Sequence, residues 1–200
     1  MTPLTTESLF TLEPKNLKRW TVADYHRMSE LGILDRQERT ELIAGQILLM
    51  VAKGTPHVTA LHLLADGLRS QLGDRALLRT QDPIWLDDLS EPEPDLAIVR
   101  GTVRDYAEQH PQPTDVYLVV EVADSTLRHD CEVKDKLYAQ AGIADYWVVD
   151  LKNCQLHIFR DPTPRGYGSH LILQPPHRVV TLAFVDVSIE LSSFLPPLSS

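Results

Sequence analysis

A carboxylate stands where an apolar strand has no ordinary use for one. The run Val116-Tyr117-Leu118-Val119-Val120-Glu121-Val122 is apolar on both alternating faces, the pattern of a central strand, and Glu121 falls near its end. Burying an unpaired carboxylate costs several kcal/mol. Something must compensate it: a cation from the protein, a bound metal ion, protonation, or an escape to the sheet margin. The first three point towards function. A second acid, Asp95, opens the apolar run Asp95-Leu96-Ala97-Ile98-Val99 directly after Pro94, whose missing N–H suits the start of a strand. Two acids on neighbouring strands can converge.

The segment Asp130–Ala141 has helical spacing, and positions 130, 133, 134, 137, 138 and 141 share one stripe. Asp130 and Lys134 begin a face otherwise made of Val133, Leu137, Tyr138 and Ala141, while Asp135 and Lys136 point elsewhere. A lysine on this stripe, in the helix that follows the strand ending at Glu121, can bring an ammonium to that carboxylate. Asp95, Glu121 and Lys134 then form a site of two carboxylates and one lysine. Such a set suits metal-assisted phosphodiester hydrolysis: Mg2+ takes oxygen ligands, commonly one or two carboxylates with water and phosphate oxygens, and activates an attacking water. Lysine orients that water or stabilises developing charge.

The elements that position these residues are legible around them. Thr21 is placed to cap a helix bearing Val22, Tyr25, Met28 and Leu31, ended by Gly32. Thr40–Val51 reads as a hairpin turning at Ala44-Gly45. His57–Leu72 predicts an amphipathic helix with Val58, Leu61, Leu64 or Ala65, Leu68 and Leu72 inward and Gly73 as its C-terminal cap. Short strands are expected at Ala76–Thr80 and Pro83–Leu86, and further strands at Tyr146–Val149, Gln155–Phe159 and His170–Leu173. Between them, the stretch from Asp87 to Pro94 is an acidic, Pro-broken loop, expected to be mostly solvated. The order predicts a single α/β domain around a mixed sheet, with an N-terminal arm over 1–19 and a short tail over 196–200.

Composition narrows the setting. In 200 residues, 19 basic and 28 acidic side chains give a net charge of −9, which counts against nucleic-acid binding through overall charge. A local patch from Lys15, Lys18, Arg19, Arg27, Arg100 and Arg104 is the available alternative. Two cysteines, Cys131 and Cys154, make no disulfide framework and lack zinc-site companions, which reads as a reducing cytoplasm. No stretch has the length and apolarity of a membrane span or a secretory signal.

Several residues, taken in order, carry a resemblance. Glu41-Leu42-Ile43-x-Gly45, His57 before a helix, Pro94-Asp95, Val119-Val120-Glu121-Val122, and Asp130-x-x-x-Lys134-x-x-x-Tyr138-Ala139-x-Ala141-Gly142-Ile143-x-x-Tyr146-Trp147-Val148-Val149-Asp150 resemble the Uma-two family of restriction-endonuclease-like proteins, within the PD-(D/E)XK nuclease superfamily. The likeness covers roughly residues 20–195. It implies the restriction-endonuclease core, an α+β fold with a mixed sheet flanked by helices, and a Mg2+-dependent (alternatively Mn2+-dependent) nuclease acting on DNA as a homodimer. Carried over, Asp95 and Glu121 are metal ligands and catalytic acids, Lys134 is the catalytic lysine, and Glu41 is a further metal ligand. Position 123, where the superfamily pattern has its lysine, is Ala123, and the turn residue before Gly45 is Ala44 in place of an acid.

Plainer readings stand beside these. Glu121 and Lys134 also make sense as an ion pair without metal, Asp95 as a strand-opening acid, Asp130 as a helix N-cap, and Tyr138, Tyr146 and Trp147 as packing residues. His57 and His62, five apart, lie on different helix faces; His57 is a minor candidate for a phosphate contact. The competing functions are an endonuclease acting on DNA, a nuclease fold retained as a binding or scaffold module, and a phosphodiesterase with another substrate.

Overall fold

The computed structural model of the chain describes residues 17–35 and 37–195. Most of the expected arm, including Lys15, and the tail from 196 lie outside the described residues. Thr21 caps α1 (Val22–Glu30) reciprocally: its side chain accepts from the Asp24 N–H, and Asp24 accepts from the Thr21 N–H. The hairpin forms as expected from β1 (Thr40–Ile43) and β2 (Gln46–Leu49). Ala44 and Gly45 both have positive φ, the requirement of a type I′ turn. Only glycine serves at 45, since a Cβ there would stand 2.6 Å from the Arg19 Cβ.

The main sheet has six strands in the order β3-β4-β5-β6-β7-β8. These are β3 (Leu77–Thr80), β4 (Leu96–Val99), β5 (Val116–Ala123), β6 (Asp145–Asp150), β7 (Gln155–Thr163) and β8 (Gly166–Leu173). All neighbours pair antiparallel except β5 and β6, which are parallel and joined by a helical crossover. β9 (Arg178–Val180) and β10 (Ser188–Glu190) form a separate pair. This is the expected mixed sheet flanked by helices.

One face of the sheet packs on α2 (Thr55–Leu72) through Leu61, Leu64, Leu68 and Leu72, which meet Leu96, Ile98, Leu118 and Val120. Fully burying such a side chain stabilises the fold by ~1.5–3 kcal/mol. Val58 does not join this face and is 39% exposed; Ala60 takes its place, because the apolar stripe is offset from the expected one. On the other face, Ala97, Val99, Val119 and Ala123 pack with Tyr138, Ile143 and Tyr146.

Two further expectations need correction. Pro83–Leu86 is extended but is not a strand: its N–H groups bond irregularly, Ile84 to Pro92, Trp85 to Pro111 and Leu86 to Ser90. The crossover helix starts earlier than expected and is interrupted: α3 (Leu127–His129) passes through a π turn, Asp130–Lys134, into α4 (Asp135–Gln140). The Asp130 carbonyl accepts both the Asp135 N–H, five residues on, and the buried Tyr146 hydroxyl at 3.0 Å. The widened turn rotates Val133 outward, to 42% exposure, while Asp130, Lys134 and Tyr138 stay buried. Asp130 is therefore inside the helical rod and is not its N-cap.

Candidate active site

A cleft of about 740 Å³ opens between the β1–β2 hairpin, the start of α2, the end of β5 and the π turn. Asp95, Glu121, Glu41 and Lys134, the four residues singled out from the sequence, all line it. Each is buried, and they come from separate parts of the fold: β1, the residue before β4, β5 and the π turn.

Glu121 shares strand parity with Val119 and Ala123, so its side chain enters the layer beneath the crossover helix. There Lys134 Nζ donates to its Oε1 at 2.9 Å, and the Tyr138 hydroxyl donates to the same oxygen at 3.0 Å. Lys134 Nζ also lies 3.2 Å from Glu41 Oε2, which accepts the Glu93 N–H. One ammonium thus bridges two carboxylates. Burial, with the nearby Asp130, Asp95 and Glu41 charges, outweighs Lys134 and pushes the Glu121 carboxyl up to about 8. Burial acts to lower the Lys134 pKa, but Glu121, Glu41 and Asp130 raise it well above an ordinary lysine, so it stays charged. Tyr138 is a packing residue, as expected, and a ligand of Glu121 besides.

Asp95 sits one residue before β4, and the antiparallel register that pairs Leu96 with Val120 brings it opposite Glu121. Its Oδ2 is 2.9 Å from His57 Nε2 and accepts the Val122 N–H at 2.9 Å. Its Oδ1 lies 3.2 Å from Lys53 Nζ and takes a long 3.4 Å contact from Gln81. Burial acts to raise the Asp95 pKa, but the His57 hydrogen bond and charge, the Val122 N–H and Lys53 together hold it below the usual carboxylate range. Asp130, also in the cleft, is pushed up by burial against the pull of Lys134 and the 2.6 Å Thr126 hydrogen bond.

Sequence reasoning misses Lys53 and gives His57 only as a minor candidate for a phosphate contact, whereas the structure puts its imidazole on Asp95. His57 carried one signal, its place in the motif order before a helix. Lys53 carried none, since it lies in the irregular segment between β2 and α2. The acidic stretch is also less solvated than expected: Glu91 is buried against His26 at 2.7 Å, and Glu93 pairs with Arg39. Of the expected basic patch, none of the described members lines the cleft; Arg27 and Arg100 pair with Glu30 and Asp115.

The sequence matches the family described as "Putative restriction endonuclease", Uma2, over residues 22–192. The chain belongs to the Uma2 family. No curated protein matches it. Its fold is similar to the crystal structure of a putative nuclease belonging to DUF820 from Anabaena variabilis ATCC 29413, with a TM-score of 0.68 and 13% identity over 87% of this chain and 96% of that one. For this Uma2 protein, the cleft is the concave site where acids from separate elements meet.

The family resemblance implies a divalent ion, and the donor set of the cleft bears on whether one fits. Among the described residues no three Asp, Glu, His or Cys side chains stand around one point as a ready-made cage. Yet the donors are hard carboxylate oxygens, and Asp95, Glu41, Glu121 and Asp130 share the cleft with just three basic side chains, Lys53, Lys134 and Arg128, and the imidazoles of His57 and His129. Mg2+ commonly needs only one or two carboxylates, keeping waters and phosphate oxygens for the rest. The set fits such an ion as an open, partial site.

Proposed function

We propose that this Uma2 protein is a divalent-metal-dependent nuclease, a cytoplasmic homodimer that hydrolyses phosphodiester bonds in DNA. The observation that carries this reading is the convergence of Asp95 and Glu121, with Glu41, in one cleft of a nuclease-like fold. Asp95 and Glu121 would hold the ion, which is Mg2+ or Mn2+, with Glu41 as a further ligand. When bound, the ion supplies positive charge against the phosphate oxygens and lowers the pKa of a water.

The rest falls to the chain's own groups. His57 and the Val122 N–H fix the Asp95 carboxylate in one orientation. Lys134 and Tyr138 fix Glu121, and Lys134 together with the Glu93 N–H fixes Glu41. Preorganised donors of this kind cost no reorientation when charge develops in the transition state. The ammonium of Lys134 is charged and contributes its field to the cleft. Burial of the whole set strengthens each of these interactions.

The alternative of a nuclease-fold binding module draws on the same ion pairs, because Lys53 and Lys134 already neutralise part of the acidic set. Cleavage of supercoiled plasmid and single-stranded DNA in Mg2+ or Mn2+ decides between them. Metal-dependent cutting by the parent protein, abolished in Asp95→Ala and Asp95→Asn with unchanged circular dichroism, supports the nuclease. Undiminished cutting in both variants, or none by folded parent protein that binds Mn2+, refutes it.

A further inference from the structure

We propose that Lys53 is the exchangeable cation of the cleft: its ammonium holds the place beside Asp95 Oδ1 that a divalent ion takes, and once displaced it serves the substrate phosphate. This rests on the nuclease reading above, and it divides the labour between two lysines that line the same cleft.

Lys134 is committed. Its Nζ is shared between Glu121 and Glu41 at 2.9 and 3.2 Å, its side chain is 5% exposed, and it rides on the helical rod at the end of the π turn. Moving it towards a substrate would leave two buried carboxyl groups without their cation. Lys53 is uncommitted. Among the described residues its Nζ is buried with no aligned hydrogen-bond acceptor, and its one ionic contact is Asp95 Oδ1 at 3.2 Å. Its side chain is 15% exposed, three times that of Lys134, and its backbone lies between the end of β2 and the start of α2, outside any ladder or helix. A four-carbon stem with three rotatable donors can swing from such a position.

The two oxygens of Asp95 support the same division. Oδ2 is saturated by His57 Nε2 and the Val122 N–H, so the carboxylate is held from that side whatever occupies Oδ1. Oδ1 is left to Lys53 and the long contact from Gln81. A divalent ion and an ammonium cannot share that one oxygen at close range without strong repulsion. Binding of the ion therefore expels the ammonium into the cleft, where the charge it had spent on Asp95 becomes available to a phosphate.

The test uses the full chain and three forms: parent, Lys53→Met and Lys53→Arg. Titration with Mn2+ alone, by calorimetry, reads the first half. Lys53→Met, which keeps the bulk and removes the competing charge, should bind Mn2+ about tenfold tighter. Single-turnover cleavage of DNA at saturating Mn2+ reads the second half. There Lys53→Met should be on the order of 100-fold slower than the parent, with Lys53→Arg recovering part of the rate. Unchanged or weaker Mn2+ binding by a folded Lys53→Met protein overturns the placeholder role. Cleavage as fast as the parent overturns the phosphate role. A parent protein that binds Mn2+ but cuts no DNA overturns the nuclease reading instead, and Mn2+ affinity still decides whether Lys53 is the placeholder.

Discussion

Replacing Lys134 with methionine keeps a long unbranched side chain and deletes the one charge that Glu121 and Glu41 share. Removing one partner of a buried ion pair typically costs about 3–5 kcal/mol, because the other charge is left uncompensated. In this site the cost depends on pH. The Glu121 carboxyl is already raised to about 8 by burial, far above the unfolded value, and losing Lys134 raises it further. Between the unfolded and folded pKa values the native state holds a proton that the unfolded state has released. Stability therefore falls as pH rises through that window, by roughly 1 to 1.5 kcal/mol per pH unit for each proton so held. The parent holds the same proton up to about pH 8, so parent and variant lose stability in parallel between about pH 5 and about pH 8. Above that the parent Glu121 ionises beside Lys134 while the variant still binds its proton, and the expected loss in Lys134→Met grows from about 1–2 kcal/mol near about pH 6 to about 3–4 kcal/mol near about pH 9.5. Urea unfolding followed by circular dichroism at both pH values measures it. The double variant Lys134→Met/Glu121→Gln should regain about 2 kcal/mol near about pH 9.5, since a neutral amide no longer has to be kept protonated against the solvent pH. An equal loss at both pH values, or one below about 1 kcal/mol near about pH 9.5, would refute the reasoning, because a buried ammonium bridging two carboxylates cannot be both well paired and dispensable.

His57→Ala leaves Asp95 Oδ2 with the Val122 N–H alone and should cost about 1–3 kcal/mol of stability. It should also weaken Mn2+ binding by about 10-fold or more, as loss of a group that orients a ligand does; calorimetric titration showing unaltered affinity would remove His57 from the site. For the proposed homodimer, sedimentation equilibrium should give twice the 22.6 kDa chain mass at micromolar concentration, and a monomer throughout would exclude it.

Much of this site was legible in the sequence because its strongest signals are local contradictions. A glutamate in a doubly apolar run demands a partner, and a lysine on the inward stripe of the next helix is the nearest candidate; the structure brings the two to 2.9 Å. Of the four compensations open to Glu121, the structure shows a protein cation at hydrogen-bond distance and burial that also favours protonation. The central strand β5, the hairpin and the capping of α1 follow from apolar period, turn chemistry and Thr21 ahead of a helical stripe, all of which act over a few residues.

What only the tertiary structure decided depends on groups far apart in the chain. The π turn, whose Asp130 carbonyl accepts the Tyr146 hydroxyl, is announced by no pattern within 130–141, and Val133 faces outward with it. Pro83–Leu86 has strand-like residues but finds only irregular partners at Ser90, Pro92 and Pro111. Lys53 lies in a segment without periodicity, and its meeting with Asp95, like the 2.9 Å contact of His57, exists because α2 packs across the sheet edge where β4 begins. Periodicity acts along one element and can be read from one element, whereas the partners of a buried charge are chosen by which elements pack together.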